Sequence, residues 1–248
     1  MQQFATNVAC RYLVYTLMVS QANWFCHTLA LHQGHDFTLN DVQPGSSAGP
    51  LDTNDLCGSI VTEGWYFGFD AGHISSCVRR GHQAQNDAEM KRQNIEWSKH
   101  RSLIDSNGAI QLATNWLALS GAKVSELQSN YTMSVTQRFF YPMYQPTNGV
   151  RPMKNDAILL PIFQVEWRGQ YTRKGRVYHR GPVAKVIVSG MTKELWECDM
   201  FSERLVSAPL IGIKDLSAVL SVKDSDFLKY DGVALSNFVA KYGAFGAK

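Results

Sequence analysis

Residues 194–201 read Glu-Leu-Trp-Glu-Cys-Asp-Met-Phe, and this stretch decides the class of fold. Trp196, Cys198 and Met200 occupy every second position within it. Successive side chains of a β-strand point to opposite faces, so this spacing predicts a strand with one buried face. Such a strand is typical of an antiparallel sheet that packs one face on a core.

Three runs before this stretch are rich in β-branched and aromatic residues and are bounded by Pro, Gly or Asn: residues 131–141, 157–167 and 183–189. This composition predicts strands. Residues 189–193 have the length of a hairpin turn, which would join the last two strands. Residues 168–182 are polar and predict a longer loop between the middle two. We therefore expect a meander of four antiparallel strands.

Helical spacing replaces this pattern upstream of residue 131. Met90, Trp97 and Ile104 recur at intervals of seven in residues 85–104, which contain no Gly or Pro, and this predicts an amphipathic helix. Further helices are predicted over residues 109–119, 124–130, 213–220 and 224–242. The predicted fold class is α+β, with helices packed on a four-stranded antiparallel sheet and with C-terminal helices.

The chain divides into three parts by composition. Residues 1–22 contain an Arg, a short apolar run and then small residues, which fits either a signal peptide or an N-terminal helix. Residues 23–84 are predicted to be loop-rich, because Gly, Pro, Ser, Asn and Asp dominate residues 33–55. Residues 85–248 form the predicted α+β domain. No apolar run reaches the roughly 20 residues that a membrane helix needs, so no transmembrane segment is predicted.

Several short runs carry a resemblance to known proteins. They are Gln-Leu-Ala-Thr-Asn-Trp-Leu at 111–117, Val124 with Leu127, Gln137, Leu-Pro-Ile-Phe-Gln-Val-Glu-Trp at 160–167, and Gly-Met-Thr-Lys-Glu-Leu at 190–195. Together they resemble a group of uncharacterised, mostly exported bacterial proteins over residues 85–205. The order of helix and meander is similar to the cystatin-like or PepSY-like arrangement. The resemblance implies an exported location (periplasm, cell envelope or outside the cell) rather than the cytoplasm, and it implies no activity.

Charge is nearly balanced over the whole chain, with 24 basic and 21 acidic residues and a formal net charge of +3. So small a surplus does not indicate a nucleic acid or a membrane as partner. Basic residues are nevertheless clustered in the predicted loop between the middle strands, with two tyrosines among them. The candidate binding residues are Arg168, Tyr171, Arg173, Lys174, Arg176, Tyr178, His179 and Arg180, and Lys185 follows them.

Two interpretations of this basic cluster are open. Cations beside aromatic rings hold phosphate, carboxylate or sulfate groups, which favours an anionic polysaccharide or an acidic protein as partner. Alternatively, the charges keep a solvated hairpin soluble and protect the sheet edges from pairing. The first interpretation predicts a non-enzymatic, exported binding or structural module that needs no cofactor.

The five cysteines include no Cys-x-x-Cys pair, which argues against a zinc ribbon and against a thioredoxin-type redox pair. Cys57 and Cys77 flank residues 63–72, which are rich in Gly and aromatic residues. A disulfide between these two cysteines would close that loop in an oxidising compartment. The other interpretation is that the cysteines are buried thiols, which pack as small apolar side chains.

An enzymatic alternative depends on His73, Cys77 and His82. If this segment is helical, His73 and Cys77 lie on one face, as a metal- or thiol-dependent hydrolase requires. Arg79 and Arg80 lie among these residues and disfavour a bound cation, so no metal site is predicted. Motifs for a hydrolase serine or a phosphate-binding loop are absent from the sequence. A looser set of potential ligands, interpreted as solvated side chains, comprises His27, His32, His35 and Asp36.

Overall fold

The structure is a computed structural model, and it describes residues 8–31, 36–43, 45–52, 55–70, 72–82, 86–141, 157–201 and 205. These residues belong to two compact units. The first unit holds the described residues up to Cys77, and the second holds Val78–Leu205. Each unit contains helices and antiparallel strands, so the α+β class is confirmed.

The first unit begins with a long helix, α1, at Val8–Thr28. Its buried side chains include Tyr15, Met18 and Phe25, and the Phe25 ring meets Phe67 edge-on with the centroids 6.4 Å apart. Both a signal peptide and an N-terminal helix were predicted for residues 1–22; the helix of the structure runs through the end of this segment to Thr28, and cleavage of a signal peptide stays a prediction. Among the described residues, no helix combines the length and the apolar character needed to span a membrane.

Four strands follow α1: β1 Ser47–Asp52, β2 Asp55–Val61, β3 Trp65–Asp70 and β4 His73–Arg79. Strand β2 pairs antiparallel with both β1 and β3. The prediction that residues 23–84 are loop-rich is therefore wrong. Strand β1 was not predicted because it contains Gly49 and Pro50, and both residue types are depleted in strands. Pairing with Cys57 and Leu56 of β2 nevertheless makes this segment a strand.

Three helices open the second unit: α2 Asp87–Ser98, α3 Ser106–Leu119 and α4 Val124–Asn130. Side-chain caps fix the starts of α2 and α3, because Asn86 and Asp105 each accept a hydrogen bond from the backbone N–H three residues on. The helix predicted over 85–104 ends at Ser98. Beyond it, the backbone N–H of Leu103 donates to the carbonyl of Gly190 at 2.7 Å instead of continuing the helix.

The second unit then forms an antiparallel meander: β5 Thr132–Phe140, β6 Ile158–Arg173, β7 Arg176–Ser189 and β8 Leu195–Met200. These strands match the four predicted runs. The predicted four-stranded sheet is wrong, because β1–β4 add further strands to the described chain, while the likeness to a cystatin-like or PepSY-like arrangement stays a prediction. The loop predicted over 168–182 is also wrong, because β6 and β7 extend through it. The predicted C-terminal helices lie outside the described residues.

The core of the second unit anchors β6 and β7 at one end. Val186 and Val188 alternate with Ile187 along β7, and all three are buried, so both faces of the strand are covered here. On the Ile187 face, Trp97 of α2 contacts Trp196 of β8 with ring centroids 5.0 Å apart. The opposite end of the same two strands carries the basic cluster.

Candidate functional site

The basic cluster lies on a two-stranded ribbon that extends beyond the rest of its sheet. Strand β5 follows β6 only as far as Arg168, which pairs with Thr132, and β8 follows β7 only as far as Ala184, which pairs with Met200. Within the part of the chain that the structure describes, residues 169–181 therefore pair only with each other, and every side chain over 170–181 is exposed. We call residues 169–181 the ribbon.

A two-residue turn closes the ribbon. Lys174 and Gly175 have φ values of +51° and +72°, so both central residues are in the left-handed region. Turns of this kind match the right-handed twist of paired strands, and they favour Gly and Asn because both central residues need a positive φ. The turn fixes the register of the ribbon and places Arg173 directly opposite Arg176.

One face of the ribbon collects three arginines and both tyrosines. Residues that pair directly across two strands share a face, so Tyr171 lies beside Tyr178, next to the pair Arg173 and Arg176. The tyrosine rings are stacked, with centroids 5.4 Å apart and an interplanar angle of 18°. The guanidinium carbon of Arg180 lies 5.5 Å from the centroid of the Tyr171 ring, which places Arg180 on this face too. We call these five residues the Arg/Tyr face.

The charge of the Arg/Tyr face is not neutralised locally. No acidic residue occurs between positions 167 and 184 of the sequence. Arg173, Arg176 and Arg180, with Lys174 in the turn, form no ion pair with any described residue. Like charges directly opposite each other destabilise a strand pair, so the pairing of Arg173 with Arg176 does not serve the fold.

Three predicted binding residues do not belong to this face, and one of them, Lys174, lies in the turn. The Arg168 side chain donates two hydrogen bonds to Glu166 Oε2, from Nε at 2.8 Å and Nη2 at 2.6 Å, so its charge is already paired. His179 pairs with Gln170, one position away from the tyrosine pair, and therefore points to the opposite face of the ribbon.

Lys185, which follows the basic cluster in the sequence, forms ion pairs within the sheet and is not available to a ligand. Its ammonium group contacts Glu197 and lies 2.9 Å from Asp199 Oδ2. Burial disfavours the charge on Lys185, but hydrogen bonds to Glu197 and Asp199 outweigh burial and raise its pKa. Burial, together with a hydrogen bond to Asp199, raises the pKa of Glu197.

The sequence did not predict this charge cluster of Lys185, Glu197 and Asp199. Glu197 and Asp199 stand two positions apart in β8 and alternate with the residues of its predicted buried face. In the structure Asp199 is buried, with 6% of its surface exposed. The cluster could have been predicted from two acidic residues at this spacing and one Lys on the neighbouring strand. That prediction requires the register between the two strands to be known.

The disulfide predicted between Cys57 and Cys77 is not formed, since both side chains are thiols. The two residues lie on β2 and β4, and β3 runs between these strands. Strands two positions apart in a sheet are about 9.5 Å apart, which is farther than the Cα atoms of a disulfide allow. The Cys57 thiol instead donates to Asp70 Oδ1 at 3.1 Å.

The hydrolase alternative required His73 and Cys77 side by side. They lie on strand β4 rather than on a helix, so the four positions between them span about 13 Å. An imidazole at that distance cannot activate the thiol. His82 is the last residue of a short 3-10 helix, Arg80–His82, and the structure describes only its backbone.

The described residues contain no group of three or more His, Cys, Asp or Glu side chains that could hold a metal ion. Of the looser set, His27 pairs with Asp36 at 2.7 Å, and both side chains are exposed. His32 and His35 lie outside the described residues.

Comparison of the chain with known proteins finds no matching family model. It also finds no similar curated protein and no similar solved structure.

Proposed function

We propose that the protein is a binding module whose ribbon holds an extended anionic polymer, and that this polymer is a polysaccharide. The observation that carries the proposal is the Arg/Tyr face, where three arginines and two tyrosines are exposed and the arginines form no ion pair with any described residue. The proposal gives a role to charges that the fold does not require.

An extended polymer fits the ribbon better than a small anion does. Arg176 and Arg180 are four positions apart on one strand, which corresponds to about 13 Å. A single phosphate or carboxylate is much smaller than this separation along the backbone, so it engages only part of the Arg/Tyr face. A polymer with repeated negative charges can contact Arg176 and Arg180 at the same time. Several weak ion pairs at exposed side chains then add up to a measurable affinity.

The tyrosines favour a saccharide among the extended polyanions. Tyr171 and Tyr178 present amphipathic rings that remain 43% and 40% exposed. A sugar ring offers a flat apolar face for such rings and hydroxyl groups for their phenol oxygens. Guanidinium groups bind carboxylate and sulfate in a bidentate manner, and both groups occur as substituents of acidic sugars.

An acidic protein is the other partner that these cations can bind, and the experiment below separates the two. An exported location is implied only by the resemblance over residues 85–205, and it stays a prediction.

Titration of the full chain with polygalacturonate and with dextran sulfate tests the proposal, with neutral dextran as the blank. The double variant Arg173→Gln with Arg176→Gln removes two charges from the Arg/Tyr face. We expect its Kd for the anionic polymers to rise about tenfold at low salt, and the dependence of Kd on salt to become less steep.

The matched control removes two charges elsewhere, with Lys91→Gln and Arg92→Gln on α2, where both side chains are exposed. An equal loss of affinity in this control would mean that net charge alone matters, and the proposal would fail. Stronger competition by polyglutamate than by the polysaccharides would replace the polysaccharide with an acidic protein.

A further inference from the structure

A groove of about 400 Å³ lies between α2 and β5, away from the ribbon. Helix α2 contributes Met90, Gln93, Asn94 and Trp97, whose spacing of three and four positions places them on one helical face. Strand β5 forms the opposite wall. The volume is within the range of sites that bind small molecules in proteins, which is 300–1,000 Å³ approximately.

The walls of the groove expose apolar surface. Met90 and Phe139 are 49% and 50% exposed, although both border a concave surface. Leu160 is buried beneath them, and Trp97 is held in place by its contact with Trp196. A flat apolar group placed between Trp97 and Phe139 would remove this surface from water.

The groove has a single charge, which is positive. Arg138 is the only ionisable residue that lines it within the described chain, and the other polar lining residues are neutral. Its guanidinium makes one long hydrogen bond, Nη2 to Gln164 Oε1 at 3.5 Å, while burial lowers the pKa of Arg138 and the charge of Glu197 partly offsets this effect. Arg138 forms no salt bridge with any described residue, so it can donate hydrogen bonds to the carboxylate of a ligand. The amides of Gln93 and Asn94 on the facing helix add neutral donors.

We propose that this groove binds a small carboxylic acid with an aromatic body. The aromatic body lies between Trp97 and Phe139, and the carboxylate meets Arg138. A neutral analogue of the same shape fills the same apolar volume and lacks the partner for the guanidinium. The charge complementarity of the groove therefore predicts a preference for the acid.

Binding of naphthalene-2-acetate and of its neutral amide, naphthalene-2-acetamide, to the full chain tests this proposal. Calorimetry gives the affinity, and the indole N–H signal of Trp97 in NMR spectra reports the place of binding. We expect the acid to bind about tenfold more tightly than the amide. The Arg138→Gln variant should bind both probes equally, and Arg138→Lys should retain part of the preference.

Phe139→Ala should weaken the binding of both probes. Arg101→Gln, which removes one exposed charge next to α2, should leave the preference unchanged. Equal affinity for acid and amide, a preference that survives Arg138→Gln, or no binding of either probe would each overturn the proposal. The ribbon variants should not alter probe binding, so this proposal and the polysaccharide proposal can fail independently.

Discussion

The two ends of the β6–β7 hairpin share one pairing pattern and have opposite electrostatics. At the buried end, Lys185 lies between two carboxylates, and Arg168 is paired with Glu166. At the exposed end, Arg173 and Arg176 oppose each other, and no acidic side chain of the described residues pairs with either of them. Basic side chains thus form ion pairs where the sheet removes them from water. They lack such partners among the described residues where water solvates them. The exposed charges are therefore available to a ligand.

The largest contrast between the two ends should be in stability. Trp167 is 2% exposed and pairs with Ala184 and Met133, whereas Val177 is 58% exposed on the ribbon. We expect Trp167→Ala to lower the free energy of unfolding by about 3–5 kcal/mol, because it leaves a large cavity. Val177→Ala should change that free energy by less than about 0.5 kcal/mol. Urea denaturation followed by circular dichroism measures both, and similar losses would contradict the division into a core end and a solvated end.

The charge cluster at the buried end should make stability depend on pH. The pKa of Glu197 is raised above its ordinary value of 4.5, so the folded state binds this proton more tightly than the unfolded state. The stabilisation is fully present below the unfolded pKa and is lost as pH rises through the folded pKa.

Glu197→Gln keeps a neutral side chain at every pH and should remove this contribution. The difference in unfolding free energy, variant minus wild type, should therefore increase as pH rises from 4.5. Urea midpoints measured across that range test the direction. Parallel profiles for the two proteins would show that Glu197 does not titrate in this way.

The smallest effect concerns the turn of the ribbon. Gly175 has a φ of +72°, and an alanine there would be strained by about 1 kcal/mol. The matched control is Gly181→Ala in the same ribbon, where an added Cβ meets open space. We expect Gly175→Ala to speed hydrogen exchange of the ribbon amides and to weaken polyanion binding a few-fold, since the strain is local. Equal exchange in both variants would mean that the turn does not hold the Arg/Tyr face in register.

Local pattern predicted much of the second unit. The alternation of Trp196, Cys198 and Met200 predicted strand β8, and the residues that cap α2 and α3 stand where the helices start. The candidate cluster was found from composition alone, but only five of its eight residues share the Arg/Tyr face. The sequence placed the cluster on a loop, because polar residues in a two-stranded ribbon lack the apolar alternation of a half-buried strand.

The first unit was harder to predict, and the reason is physical. A strand such as β1 is stabilised by hydrogen bonds to another strand, and its own residues, including Gly49 and Pro50, do not favour it. Its partner lies in the same unit, but nothing in residues 47–52 specifies that partner. The disulfide and thiol–imidazole hypotheses are not supported because both assumed neighbours that the strand order separates.

The sequence by itself determined where helical and extended spacing change, where helices begin, and that basic residues cluster without acids over 167–184. These properties depend on neighbours a few positions away. Only the tertiary structure decided which charges are paired, because the partners of Lys185 are on another strand and its neighbours in sequence carry no acid. Register across the sheet turned Arg173, Arg176 and Arg180 into one exposed face and placed Asp199 in the interior.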